Sequence, residues 1–201
     1  SNIKSCTWEF RASVSLIALL FGLGCPQPSM AQSLPTGGTV ASGNVSIGST
    51  SPTSLTVTQS SATGIVNWSS FSIGQGHQVQ FNNGTGATLN RVTGNVPSSI
   101  NGQLSATGSV YLVNPSGIVV GPTGVINTGG SFVASTLDVK DAEFRAGGSL
   151  TFSGNSNASV VNLGQIGSSK GDVVLIARQV RNDGSLTARN GTAAMASGSE
   201  V

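Results

Sequence analysis

Short apolar runs separated by Gly, Asn, Pro and Ser set the rhythm of this chain from about residue 40 onward. Ser46-Ile47, Ser54–Thr58, Gly64–Trp68, Gln78–Phe81, Val110–Val113 and Ile118–Val120 are the first of these runs. Val125-Ile126, Phe132-Val133, Ser149–Phe152, Val160–Leu163, Val173–Ala177 and Ser185–Ala188 continue them. Each is too short for a helix, rich in β-branched or aromatic residues, and bounded by turn formers, so each predicts a strand. Helical periodicity is hard to find.

The spacing carries a repeat. Asn-x-Gly recurs as Asn127-Thr128-Gly129, Asn162-Leu163-Gly164 and Asn182-Asp183-Gly184. The last two lie roughly 20 residues apart, the length of one solenoid coil. Gly171–Ala177 is echoed at the same interval by Gly191–Ser197. Asn and Gly suit tight corners because both tolerate left-handed backbone. A short strand cannot bury its apolar face alone, whereas stacked coils bury those faces in one core and pair every backbone group with the coils on either side. The pattern therefore predicts an all-β chain, a right-handed parallel β-helix, with a β-sandwich of similar strand spacing as the alternative. Residues 34 to 70 precede the clear repeats and predict an N-terminal β cap, since open solenoid ends invite unwanted pairing. The last coil begins near the end of the sequence, and the chain reads as the front of a longer protein.

Composition agrees. Only 8% of residues are charged, with 28 Gly and a net charge of +2, against about 25% charged in ordinary soluble domains. Val and Ile at regular intervals argue against disorder. Arg178, Arg181 and Arg189 are spread across Gly-rich turns. With no basic cluster, nucleic acid is set aside as a partner.

The first residues read as an export signal. Lys4 and Arg11 precede an apolar run from Ala12 to Leu23, and Ser29-Met30-Ala31 supplies small residues for cleavage between Ala31 and Gln32. The run is shorter than the roughly 20 residues a membrane span needs. Residues 1–31 are thus expected to be a signal peptide, its start truncated, and 32–201 the mature β-helical domain. Gly22-Leu23-Gly24-Cys25 raises lipidation of Cys25 as an alternative. Both cysteines, Cys6 and Cys25, lie in this leader, so no disulfide framework is expected.

At Val66-Asn67-Trp68-Ser69-Ser70-Phe71, Val79-Gln80-Phe81 and Leu89-Asn90-Arg91-Val92 the chain resembles a known family. The match continues through Ser99–Gly102, Gly108–Ile118 and Ser135-Thr136-Leu137. These are landmarks of the N-terminal secretion domain (haemagglutination activity domain) of two-partner secretion exoproteins, such as filamentous haemagglutinin. The resemblance covers about residues 34–190. It implies a Gram-negative exoprotein that crosses the periplasm, is recognised unfolded by the POTRA domains of an outer-membrane β-barrel transporter, and folds outside as a β-helix. Such proteins are commonly adhesins or haemagglutinins, acting on host cells or glycans through downstream regions. The family's Asn-Pro-Asn-Gly-Ile motif maps onto Asn114, Pro115, Ser116, Gly117 and Ile118, with Ser116 replacing the second Asn. Its Asn-Pro-Asn-Leu motif has no match in Asn82–Val92, which is similar instead to the high-molecular-weight adhesin branch. No contact of that motif is carried over.

No active site or cofactor site is apparent. His77, the single His, stands without a nucleophile or orienting carboxylate in view and reads as a turn residue. Asp138, Asp141 and Glu143 form the one acidic cluster. Paired carboxylates could serve a polysaccharide-active β-helix, but with no aromatic platform they read as a solvated edge. Calcium repeats and a phosphate loop are absent. The sequons at Asn44, Asn67, Asn83, Asn157 and Asn190 are expected by chance in so polar a chain. Trp68 and Phe71 are expected to pack the cap onto the first coils.

Overall fold

The computed structural model describes residues 34–201. The leader, Cys25 and the Ala31–Gln32 junction lie outside the described residues. Three faces of parallel strands wind into one β-helix, as the repeat predicts. The first face holds β4 (Thr63–Trp68), β6 (Ala87–Val92), β9 (Ser109–Val113), β12 (Phe132–Ser135), β17 (Val173–Ala177) and β20 (Ala193–Ser197). The second holds β7 (Ser98–Ile100), β10 (Ile118–Val120), β15 (Ser159–Asn162) and β18 (Gln179–Asn182). The third holds β3 (Ser54–Gln59), β5 (Gln78–Asn82), β8 (Gln103–Ala106), β11 (Val125–Thr128), β16 (Gln165–Ser168) and β19 (Ser185–Ala188).

Alternation decides which side chains fill the interior, because successive residues of a strand point to opposite faces. Val66, Leu112, Ala134 and Leu175 stack inward on the first face, as do Leu55, Val79, Leu104, Ile126 and Ile166 on the third. Val173–Ala177 pairs residue for residue with Ala193–Ser197, as the echo in the sequence predicts.

The cap is shorter than the expected residues 34 to 70: β3 and β4 already stack in parallel on β5 and β6 as the first coil, and only the chain before them is antiparallel. β1 (Thr39–Ser42) pairs with β4, and β2 (Val45–Ser51) with β3, so the first coil is covered by chain running the other way. Trp68 and Phe71 are buried beneath it, edge to face with centroids 5.5 Å apart.

Three further sequence expectations need correction. Asn127 does not share a corner with the other two Asn-x-Gly sites. It pairs with Gly167 on the third face, whereas Asn162 pairs with Val120 and Asn182 on the second. Ser149–Phe152 is not a coil strand: only Phe152–Ser153 (β14) is extended, and it pairs antiparallel with β13 (Asp138–Val139). Between them lies a helix, α1 (Asp141–Ala146), which the strand-like reading missed. This insertion lies against the outside of the first face. There Leu137, Val139, Phe144 and Phe152 cover Ile65, Leu89, Val113, Val133 and Ile176, a second core beyond the solenoid wall.

Candidate functional site

The sequence landmarks converge on the C-terminal ends of the first-face strands and the corner that leads to the second face. Val113 ends β9 and Ile118 opens β10, so Asn114–Gly117 is the corner between them. Proline fixes one backbone angle. Gly117 sits at φ 112, a region that side chains with a Cβ rarely enter. The Gly117 amide donates to the Asn114 carbonyl at 3.0 Å, closing a four-residue turn.

Asn114 is fully buried, and its amide side chain is satisfied. Nδ2 donates to the Val96 carbonyl at 3.0 Å and to Ser98 Oγ at 2.9 Å, both in the preceding coil. Oδ1 accepts the Ser116 amide at 2.9 Å, the self-bonded turn that Asn favours. The Asn114 backbone amide donates to the Ser135 carbonyl of the following coil at 2.9 Å. One residue thus fastens three successive coils. Pro115, by contrast, is exposed. Only its carbonyl is engaged, accepting Ser156 Oγ at 2.6 Å.

The neighbouring landmarks support the same region. Asn90 faces the interior between Val66 and Leu112, and its buried Oδ1 accepts the Trp68 indole N–H at 3.0 Å. Arg91 faces outward opposite Val113. Its Nε lies 2.9 Å from both Asp138 oxygens, and its Nη2 donates to Asp141 Oδ1 at 2.8 Å and the Val139 carbonyl at 2.9 Å. Burial alone would lower the Arg91 pKa, but the hydrogen bonds and charges of the two aspartates outweigh it and raise the value. Val92 is buried and pairs with Trp68. Ser135, Thr136 and Leu137 are buried where the insertion leaves the coil, with Ser135 Oγ donating to the Leu137 carbonyl and accepting its amide at 2.7 and 2.9 Å.

Sequence reasoning took Asp138, Asp141 and Glu143 as a solvated edge. Their carboxylates are instead partnered, two by Arg91 and the third by Lys140 at 3.3 Å. Asp138 lies on a strand and Glu143 on a helix. His77 occupies a turn closed by its amide to the Gly74 carbonyl at 3.0 Å. Arg178, Arg181 and Arg189 are exposed and spread out. Arg181 pairs with Asp183. Among the described residues no group of His, Cys, Asp and Glu is arranged to hold a metal ion, and no helix is long and apolar enough to cross a membrane.

A buried polar network went unread in the region that lacks the family's second motif. Asn83, nearly inaccessible, donates to Thr88 Oγ1 at 3.0 Å and to the Ser109 carbonyl at 2.9 Å, and accepts the Gly108 amide at 2.7 Å. Thr88 passes the chain on to Gln59 at 2.8 Å. The doubled Asn82-Asn83 before Gly84 was the available signal.

A family model described as the TPS secretion domain matches residues 31–201. The chain belongs to the two-partner secretion domain family. The HMW1 secretion domain from Haemophilus influenzae is 34% identical, with a TM-score of 0.76 over 83% of this chain and 45% of that one. A filamentous hemagglutinin secretion domain shares the fold at 15% identity and TM-score 0.55, covering 84% of this chain and 64% of that one. A heme/hemopexin-binding protein of Haemophilus influenzae is 34% identical over 190 residues. That alignment takes in 88% of this chain but 20% of the relative, so the chain spans about a fifth of that protein.

The chain is thus the secretion domain of a two-partner exoprotein. Membership implies a cognate outer-membrane transporter and delivery to the surface or exterior of a Gram-negative cell. The family is one of secretion domains rather than of enzymes.

Proposed function

We propose that the domain crosses the periplasm unfolded and is read there by the transporter's POTRA domains, with Asn114–Ile118 part of what they read. Its apolar, β-prone segments would add to a sheet edge of the transporter, the general mode of β-augmentation. Outside, the same segments bury themselves in the coils and oppose return. No reaction is catalysed.

Membership of the secretion-domain family supports the reading, and the folded corner lets signal and fold be tested apart: Asn114 is fully buried and bonded into three coils, while Pro115 is exposed. Co-expression with the partner transporter separates the two. Pro115→Ala should lower the secreted fraction and leave the stability of the purified domain nearly unchanged, whereas Asn114→Ala should lower both. Secretion of Pro115→Ala at the wild-type level would remove Pro115 from the signal.

A second reading, adhesion to neutral glycans, is favoured by one feature. The strands of the third face, with β2, contain no charged residue and present Gln78, Gln80, Gln103, Asn127 and Gln165 outward. An array of amides and hydroxyls without charge suits uncharged polymers. Retention of the purified chain on immobilised neutral but not sulfated polysaccharide would support it, and equal passage through both would exclude it.

A further inference from the structure

The insertion between β12 and β15 plays no part in coil stacking. β12 pairs directly with β17, β11 with β16 and β10 with β15, in unbroken register. Val133 meets Val174, and Val174 meets Ala194, although the first interval is twice the second. Residues 138–153 therefore add nothing to the ladders and rest on the wall as a separate layer.

Three contacts hold that layer. Its apolar side presses Val139, Phe144 and Phe152 onto Ile65, Leu89, Val113, Val133 and Ile176, with Tyr111 and Phe144 edge to face at 5.2 Å. Its far edge is pinned where the Phe152 amide donates to the Val201 carbonyl at 2.8 Å and the Val201 amide returns a bond at 2.9 Å. Between them stands Arg91, the one solenoid cation that reaches the layer, forked onto Asp138 and Asp141. The guanidinium is largely covered, with 17% side-chain exposure, against 46% and 45% for the two carboxylates.

We infer that residues 138–153 form a strap that opens and closes as a unit on an intact β-helix, with Arg91 as its clasp. The opening breaks the Arg91 bonds and the two Phe152–Val201 bonds but none between stacked strands, since the ladders bypass the strap. It bares an apolar outer stripe running from Ile65 to Ile176 across consecutive coils. Closing joins residues 47 and 50 positions apart in sequence, so the clasp forms only after the coils from β6 to β12 are stacked. Arg91 is a positioning residue here: it fixes the strap and touches no ligand.

The opening needs no transporter, so the test uses the purified chain. Native-state hydrogen exchange of wild type and Arg91→Gln is followed segment by segment, together with trypsin cleavage after Lys140 and Arg145, both within the strap. Loss of the charge-assisted bonds should speed exchange across 138–153 by about 10- to 100-fold while β9, β12 and β17 keep their rates. Cleavage at Lys140 and Arg145 should accelerate in parallel, and Arg91→Lys, which keeps the charge without the fork, should restore part of the protection. If Arg91→Gln fails to fold, wild type in about 1 M salt, where the Debye length falls to about 3 Å, should show faster strap exchange over unchanged coils. Equal acceleration in strap and coils, or an unchanged strap, overturns the inference.

Discussion

Replacing Asn114 by Ala tests whether the corner is a structural fastening. The side chain makes three hydrogen bonds, and their surroundings differ. Ser98 is fully buried, so its hydroxyl loses its Asn114 partner where water cannot substitute. Val96 is 48% exposed and Ser116 half-buried, so water can replace those bonds. A stranded buried polar group costs about 1–3 kcal/mol, and each bond exchanged for water about 1 kcal/mol. Asn114→Ala should therefore destabilise the domain by about 3–5 kcal/mol. At a urea slope of about 2 kcal/mol/M, the midpoint falls by roughly 1.5–2.5 M. Ser98→Ala in the mutant background removes the stranded hydroxyl, so the double mutant should recover about 1 kcal/mol relative to the sum of the singles. Urea unfolding followed by far-UV circular dichroism measures all four proteins. A loss below about 0.5 kcal/mol for Asn114→Ala, or strict additivity, would refute the fastening.

Other outcomes follow from the packing. Trp68→Phe leaves Asn90 Oδ1 without its indole donor and should cost about 1–3 kcal/mol in the same urea assay. A Cβ on Gly108 would stand 2.3 Å from the Gly86 carbonyl oxygen, so Gly108→Ala should destabilise by about 1–3 kcal/mol or more through forced separation of two coils. Tyr111 is the single tyrosine, and burial, followed by the charge of Asp172, raises its pKa above 10.0. Absorbance at 295 nm should titrate later in folded than in urea-unfolded protein. Because the folded value is the higher, this contribution is complete below pH 10 and is lost as pH rises through the folded pKa. Coincident titration curves would contradict the burial.

The solenoid was legible because its determinants are local and repeated. Each short run of Val, Ile or Leu closed by Asn or Gly carries its own strand and corner, and Asn162 and Asn182 mark the pitch directly, stacking with a 2.8 Å side-chain bond across 20 residues. The insertion was not legible, for the opposite reason. α1 has six residues, too few to show a period, and its single buried residue, Phe144, finds Tyr111 and Leu89 only after several coils are stacked. Asp138 and Asp141 looked solvated because their partner lies far upstream. Asn127 misled because one three-residue signature serves two different corners. The landmarks around Asn114 were found through family resemblance, and only the structure showed that its amide is buried while Pro115 is exposed.

The antiparallel cap gives the assembly a polarity. At β1 and β2 the backbone runs against the coils, so parallel stacking cannot propagate past that end. At β18, β19 and β20 the outer edges match the direction of every coil beneath them. In polymer terms the cap blocks one end of the stack, so the order of the coils has a fixed direction, away from β1 and β2.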